Sequence, residues 1–167
     1  NEGFGHMSLI RSEASASGEI IFDIAGALGQ EITPELATVL FTAISTDTGS
    51  FKFSNTTGRT FNIAAELVER GAKPAFIAEN VFESKPYSTL KLLGDLLTNL
   101  KISPCGQVAW ILLPSEKLKD FKVAQEQTEG FVNYARMVDG VKVALLLRQR
   151  DNGEIRVSWR SKGTIDV

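Results

Sequence analysis

The first half of the chain is predicted to be helical, because its apolar residues recur at helical spacing. Start and stop signals bound the helices. Thr33 offers an N-cap hydroxyl, Pro34 fits the first helical position, and Gly29 and Gly71 follow apolar stripes as stops. Four helices are expected, with stripes made of Ile20, Ile21, Ile24 and Leu28; Leu36, Val39, Leu40, Ala43 and Ile44; Ile63, Ala64, Leu67 and Val68; and Ile77, Ala78, Val81 and Phe82.

The second half mixes helical spacing with the patterns of strands. Leucines between residues 85 and 101 form another helical stripe, which Ser103-Pro104 ends. Strands are predicted at 108–113, 141–147 and 154–160, with a helix at 128–138. Asn152-Gly153 is a strong signal for a type I′ hairpin turn before the last strand. Alternation in that strand assigns Ile155, Val157 and Trp159 to the core face, and Arg156, Ser158 and Arg160 to the polar face.

These elements predict the α/β class. A helix-rich segment at 1–84 precedes a connecting helix at 85–103 and a mixed α/β segment at 104–167. With 167 residues, 43% hydrophobic and 23% charged, the sequence is typical of a globular protein with one or two domains. The longest apolar run, 108–113, is six residues, so no membrane-spanning helix is predicted and a cytoplasmic location is expected.

Two residue counts exclude whole classes of site. The single cysteine, Cys105, excludes an intramolecular disulfide, and Cys105 with the single histidine, His6, cannot form a Cys/His zinc site. A catalytic triad would need His6, close to the first residue. Hydrolytic chemistry in this chain would therefore depend on carboxylates and metal ions.

Charge is distributed unequally between the two halves. Residues 1–84 carry 5 Lys/Arg and 11 Asp/Glu, whereas residues 85–167 carry 13 Lys/Arg and 9 Asp/Glu. An acidic half is suited to metal ions, and a basic half is suited to phosphate groups. The asymmetry is also compatible with two ordinary solvated surfaces.

Asp47 lies where the second helix should end, within Thr46-Asp47-Thr48-Gly49-Ser50-Phe51. Its short acceptor side chain could simply cap a turn. The Asp-Thr-Gly-Ser sequence also occurs in aspartic proteases, but the preceding segment is helical and the signature occurs once, so only a homodimer could supply the second carboxylate. The third interpretation, a metal ligand, rests on a longer match.

The sequence around Asp47 resembles the fourth conserved motif of the DHH phosphoesterase superfamily. The matching residues are 44–51, 53–57 and Thr60. Residues 1–5 resemble the stretch after the Asp-His-His motif, and 16–21 resemble the start of the next helix. Residues 129–134, 141–147 and 157–163 resemble the associated substrate domain, called DHHA1. The resemblance implies that residues 1–84 form the C-terminal part of a DHH catalytic domain and that 104–167 form an incomplete DHHA1 domain after the connecting helix.

The resemblance also implies a metal site. Asp47 would be a ligand in a centre of two Mn²⁺ or Mg²⁺ ions, which activates water and stabilises charge at phosphorus. No other residue of the chain is assigned a catalytic role. Asn55 and Thr56 would bind a substrate phosphate or ribose near the metals, or would equally well cap the next helix.

Substrate contacts are implied in the second half. From the strand pattern alone, Arg160 is a solvated residue on the polar face. The resemblance implies otherwise, because Arg160 and Ser161 match the substrate-contacting motif of the family and a planar guanidinium is suited to bidentate phosphate binding. Arg136, on the preceding helix, is a further candidate. Trp159 is interpreted as a core residue, with base stacking as the alternative.

The C-terminal segment is most similar to enzymes that degrade very short oligoribonucleotides and dephosphorylate 3′-phosphoadenosine 5′-phosphate (pAp). A cyclic-dinucleotide phosphodiesterase, a RecJ-type exonuclease, and a non-catalytic nucleotide- or RNA-binding module stay open as alternatives. The chain begins after the expected Asp-His-His and ends before the expected Gly-Gly-Gly-His. We therefore expect a fragment that is not itself a catalyst. The sequence is also compatible with a homodimer.

Overall fold

The computed structural model describes His6, residues 8–163 and Ile165. The chain divides into two units, Asn1–Ser84 and Lys85–Val167. The motif match at residues 1–5 lies outside the described residues. Seven α-helices and a four-stranded mixed sheet in the described part confirm the predicted α/β class. No helix in that part is long and apolar enough to cross a membrane.

The first unit is helical, as predicted. Thr33 caps the second helix by accepting a hydrogen bond from the Leu36 backbone N–H at 3.4 Å, and Pro34 is its first residue. Thr57 caps the third helix in a capping box with Thr60. The fourth helix is shorter than its apolar stripe suggested, because a π-helical turn, Glu79–Glu83, continues it. The elements are α1 (Ser17–Ala27), α2 (Pro34–Asp47), α3 (Gly58–Glu69) and α4 (Pro74–Ala78).

The core of the first unit lies between α1, α2 and α3. A Cβ added to Gly18 would lie 3.1 Å from Ile44 Cγ1 and 3.2 Å from the Leu40 carbonyl oxygen, so α1 approaches α2 closely through a small residue. This approach turns part of the apolar stripe of α1 outward, and residues of the other stripes are also exposed. The buried apolar residues are Ala16, Ala25, Ile32, Ala37, Leu40, Phe41, Ile44, Ile63, Ala64, Leu67, Ala72 and Ile77. The exposed stripe residues include Ile21, Leu28, Val39, Val68, Val81 and Phe82.

The second unit is a sheet covered on one face by helices. Its strand order is β1-β2-β3-β4; β2 and β3 are parallel, and the two outer pairs are antiparallel. The observed β2 coincides with the predicted strand. The helix predicted at 128–138 is shorter, because Gly130 adopts φ +87° immediately before it. The elements are α5 (Tyr87–Thr98), β1 (Lys101–Ile102), β2 (Val108–Leu113), α6 (Ser115–Phe121), a 3₁₀ turn (Gln125–Thr128), α7 (Phe131–Met137), β3 (Val143–Gln149) and β4 (Ile155–Ser161).

Helices α5 and α7 cover the buried face of this sheet. The core combines residues of both helices with alternate residues of β2 and β3. Ala144 and Leu146 of β3 are fully buried on this face, and their partners on β4 are Arg160 and Ser158. The core residues are Leu92, Leu93, Leu96, Ala109, Ile111, Leu113, Val123, Phe131, Val132, Ala135, Val141, Ala144 and Leu146.

The predicted orientation of β4 is wrong. Trp159 pairs with Leu145 on the opposite face and is 48% exposed, so it is not a core residue. Because β3 is apolar at five consecutive positions, 143–147, its alternation could not indicate which face is buried. The register across β3 and β4 decides the question, and it places the polar residues of β4 on the helix-covered face.

The hairpin between β3 and β4 also differs from the predicted turn. A type I′ turn requires positive φ at both central residues, but of Asn152 and Gly153 only Gly153 has it, at +85°. Arg150 N–H donates to the Glu154 carbonyl at 2.8 Å, and Gly153 N–H donates to the Arg150 carbonyl at 2.9 Å. The loop therefore has three residues, 151–153, with glycine in its left-handed position.

Candidate functional site

Asp47 is the last residue of α2, and its side chain is exposed. Thr48 follows it and is fully buried, with its hydroxyl donating to the Ile44 carbonyl at 2.7 Å. The same hydroxyl accepts a hydrogen bond from the Phe51 backbone N–H at 3.1 Å. Thr48 therefore ties the end of α2 to the following turn, which fixes the backbone that carries the Asp47 carboxylate.

Three consecutive residues after Thr48 adopt the left-handed conformation. Gly49, Ser50 and Phe51 have φ values of +56°, +59° and +62°. Each non-glycine residue in this region costs about 1–2 kcal/mol, so the turn is strained and needs support from its surroundings. The Phe51 ring provides that support, since it packs edge-on against Phe41 at 5.8 Å and stacks on Phe61 at 5.3 Å between centroids.

Asn55 lies beside Asp47, but its amide group binds the backbone. Nδ2 donates to the Asp47 carbonyl at 3.2 Å and to the Ser15 carbonyl at 2.9 Å. Thr56 Oγ1 is buried and has no hydrogen-bond partner among the described residues. Neither residue caps α3, because Thr57 does so. The structure thus excludes the cap interpretation of Asn55 and Thr56.

A buried carboxylate, that of Glu19, stabilises the segment between Asp47 and α3 through hydrogen bonds. Glu19 of α1 is 2% exposed, and its Oε1 accepts hydrogen bonds from Ser15 Oγ at 2.5 Å and Thr60 Oγ1 at 2.7 Å. The Ser15 backbone carbonyl also accepts the hydrogen bond from Asn55 Nδ2, so the network joins α1, α3 and the segment after Asp47. Sequence reasoning treated Glu19 only as part of a helix start. The sequence signal that could have identified Glu19 was its position next to Gly18, where α1 packs closely against α2.

The described residues do not form a metal centre by themselves. No group of three or more His, Cys, Asp or Glu side chains that could hold an ion occurs within them. Asp47 offers one exposed carboxylate, and a pair of divalent ions requires several ligands. A two-metal site would need further ligands from outside the described part of the chain.

A cleft of about 430 Å³ lies over the helix-covered face of β4 in the second unit. Arg160, Arg156 and Ser158 contribute to its wall from β4, and Arg148 contributes from β3. Glu129 is the one carboxylate residue among those that line it. Three guanidinium groups against one carboxylate make the cleft cationic, which is suited to anions such as phosphates.

The predicted substrate residues of the second unit do not all reach this cleft. Arg160 lines it, with Nη1 donating to the Trp159 carbonyl at 2.8 Å. Ser161 pairs with Val143 and points to the other face, where its hydroxyl donates to the Ile165 carbonyl at 2.6 Å. Arg136 Nη1 lies 3.5 Å from the Ser161 carbonyl. The Arg160 and Ser161 side chains are therefore on opposite faces of the sheet.

Arg148 was not identified from the sequence. It is 4% exposed and pairs with Arg156 across the ladder. No local signal could identify it, because five consecutive apolar residues hide which face of β3 is buried. Only in the structure does Arg148 continue the buried alternation of Ala144 and Leu146. A buried charged residue is unusual and is more informative than a buried apolar one.

Comparison with known proteins gives matches along the whole chain. It is 34% identical over 167 residues to the bifunctional oligoribonuclease and PAP phosphatase NrnA of Thermus thermophilus, covering 100% of this chain and 49% of that protein. It is 33% identical over 162 residues to the probable bifunctional oligoribonuclease and PAP phosphatase NrnA of Streptococcus mutans, covering 97% of this chain and 52% of that protein. A comparison with protein-family models gave no match.

The fold also matches a solved structure along nearly the whole chain. The crystal structure of an exopolyphosphatase-related protein from Bacteroides fragilis superimposes with a TM-score of 0.90 at 29% identity. The match covers 97% of this chain and 48% of that protein. The chain therefore spans about half the length of the relatives it matches.

Proposed function

We propose that this chain, a homologue of the DHH/DHHA1 phosphoesterases along its whole length, forms part of a phosphoesterase that hydrolyses short oligoribonucleotides and pAp. The observation that carries the proposal is the cationic cleft on β4, where three arginines face one carboxylate. Phosphate groups are the feature common to both substrates, and guanidinium groups bind phosphates in bidentate geometry.

In this proposal the two units have different tasks. Arg160 binds a substrate phosphate in the cleft. Asp47 supplies one carboxylate ligand to a pair of Mn²⁺ or Mg²⁺ ions, whose other ligands come from outside the described residues. The strained turn at 49–51 and the Glu19 network support this role, because both restrict the backbone that carries Asp47.

The experiment uses a protein of the relatives' length that contains this sequence. Asp47→Asn keeps the shape of the side chain and removes its charge, so we expect hydrolysis of pAp and of a labelled diribonucleotide with manganese to fall by at least about 100-fold. Circular dichroism and the thermal midpoint should stay unchanged. Asp120→Asn, an exposed carboxylate on α6, is the matched control and should keep its activity. If Asp47→Asn also keeps its activity, Asp47 only ends the helix.

A non-catalytic nucleotide-binding module is the second candidate function. The cationic cleft is the observation that supports it, because such a cleft would bind a phosphate whether or not the longer protein hydrolyses the nucleotide. The same assay separates the two functions. A protein of the relatives' length that binds pAp but shows no manganese-dependent turnover supports the binding module. The chain by itself is expected to show no turnover in either case.

A further inference from the structure

Arg148 is a buried arginine whose polar contacts are all with neutral groups. Nη2 donates to Ser158 Oγ at 2.8 Å, and Nη1 lies 3.4 Å from Thr128 Oγ1. Nε is buried and has no hydrogen-bond partner among the described residues. The residue is 4% exposed. Arg148 therefore contains one donor group that the surrounding protein leaves unused.

The charges around Arg148 do not compensate its own. Arg156 is its direct partner across the ladder, and Arg160 lies further along the same face of β4. The ion pairs among the described residues include none of these three arginines. Burial, followed by repulsion from Arg156, lowers the pKa of Arg148, and Glu129 at the cleft opposes this shift.

An arginine in this position is unfavourable unless something else uses it. Taking a guanidinium out of water is costly, and a buried arginine usually has a carboxylate partner. The nearby hydroxyls of Ser158 and Thr128 accept hydrogen bonds but carry no charge. An anion in the cleft would provide the missing charge and acceptors for the unused donor.

We propose that Arg148 and Ser158 form the inner wall, and the exposed Arg156 the rim, of a phosphate-binding site that recognises a phosphate group of the nucleotide substrate without a metal ion. The inference rests on the proposed function, because it assigns a further substrate contact to the same cleft. Arg160 then binds at the outer end of the site. Ser158 holds the guanidinium of Arg148 in place through the 2.8 Å hydrogen bond.

The test measures binding by the chain itself, by isothermal titration calorimetry with EDTA present. The probes are pAp, inorganic phosphate and adenosine, which separate phosphate recognition from nucleoside recognition. The wild-type chain should bind pAp more tightly than phosphate, and adenosine least. Arg148→Met should weaken pAp binding by about 10- to 100-fold. Arg150→Met is the matched control. Arg150 directly follows β3, pairs with Glu154 and does not line the cleft, so the pAp affinity of this variant should stay within about twofold of wild type.

A stability measurement distinguishes this role from a structural one. If Arg148 serves the ligand, Arg148→Met should leave the thermal midpoint of the unliganded chain unchanged or higher, and pAp should no longer raise it. If Arg148 is needed for folding, the variant should melt earlier, which overturns the inference. Arg148→Lys provides a variant that retains the charge, and it should recover binding only in part because an ammonium lacks the planar fork.

The outcomes are separable from those of the proposed function. Absence of pAp binding by the wild-type chain, or unchanged binding by Arg148→Met, overturns the inference even if the longer protein hydrolyses pAp. Retention of activity by Asp47→Asn overturns the proposed catalytic role of Asp47 but leaves binding at Arg148 intact.

Discussion

Gly49, in the turn that follows Asp47, is predicted to be intolerant of any side chain. Gly49→Ala should lower the free energy of unfolding of the first unit by about 2–5 kcal/mol, as the sum of two costs. Its φ of +56° costs an alanine about 1–2 kcal/mol. The added Cβ would also lie 2.4, 2.5 and 2.6 Å from three ring carbons of Phe53, which is 43% exposed, so the ring has to swing away from the turn, and its lost packing costs about 1–3 kcal/mol.

Gly29→Ala is the matched control. Gly29 has a similar φ, +63°, but a Cβ added there meets nothing within 4 Å. This variant should therefore lose only the conformational part, about 1–2 kcal/mol. The difference between the two variants isolates the contact with Phe53. Adding Phe53→Ala to Gly49→Ala should recover most of that difference, because the ring that the new methyl group meets is then absent.

Urea unfolding followed by far-UV circular dichroism gives the free energies of these variants. In a protein of the relatives' length, Gly49→Ala should also reduce kcat/KM, because moving Phe53 disturbs the turn that follows Asp47 and so the backbone that positions its carboxylate, whereas Gly29→Ala should not. If Gly49→Ala and Gly29→Ala lose the same stability, the close packing of Phe53 on this turn is not what selects glycine.

Two further predictions concern helix packing and substrate binding. Gly18→Val should lower the free energy of unfolding by about 1–3 kcal/mol, because the added Cβ would lie 3.1 Å from Ile44. Gly26→Ala, on the same helix, adds a Cβ to open space and should raise the free energy of unfolding by about 0.5–1 kcal/mol. Urea unfolding measures both. Arg160→Ala in a protein of the relatives' length should lower kcat/KM for pAp by about 30- to 1000-fold, mostly through KM, and Arg160→Lys should recover part of it. Steady-state kinetics that stay within about twofold of wild type would remove Arg160 from the substrate site.

Local signals in the sequence were sufficient to place most helices. Thr33 and Pro34 predicted the start of α2 because capping depends on a few consecutive residues. Local signals of this kind could not predict which side of α1 is buried. That side is determined by Gly18, because its missing side chain lets α2 come close. Part of the isoleucine-rich stripe is therefore exposed.

Alternation of apolar and polar residues could not predict which face of β4 is covered by helices. Its two faces are apolar and arginine-rich, and the usual assignment buries the apolar face. The pairing of Arg160 with Ala144 reverses this assignment, because Ala144 is fully buried under the helices. The reversal is also what brings Arg148, Arg156 and Arg160 into one cleft. The error and the candidate binding site therefore have the same physical origin.

The turn after Asp47 shows how far a motif can specify geometry. The motif identified Asp47 as a candidate, but no local rule favours Ser50 and Phe51 in the left-handed region. Their conformation depends on the Thr48 hydroxyl and on the stacking of Phe51 against Phe61, which lies on the next helix, α3. Strain that is stabilised by such contacts is found mainly where a side chain must be aimed. This favours an aimed carboxylate at Asp47 over a simple turn cap, because a cap would need none of this support.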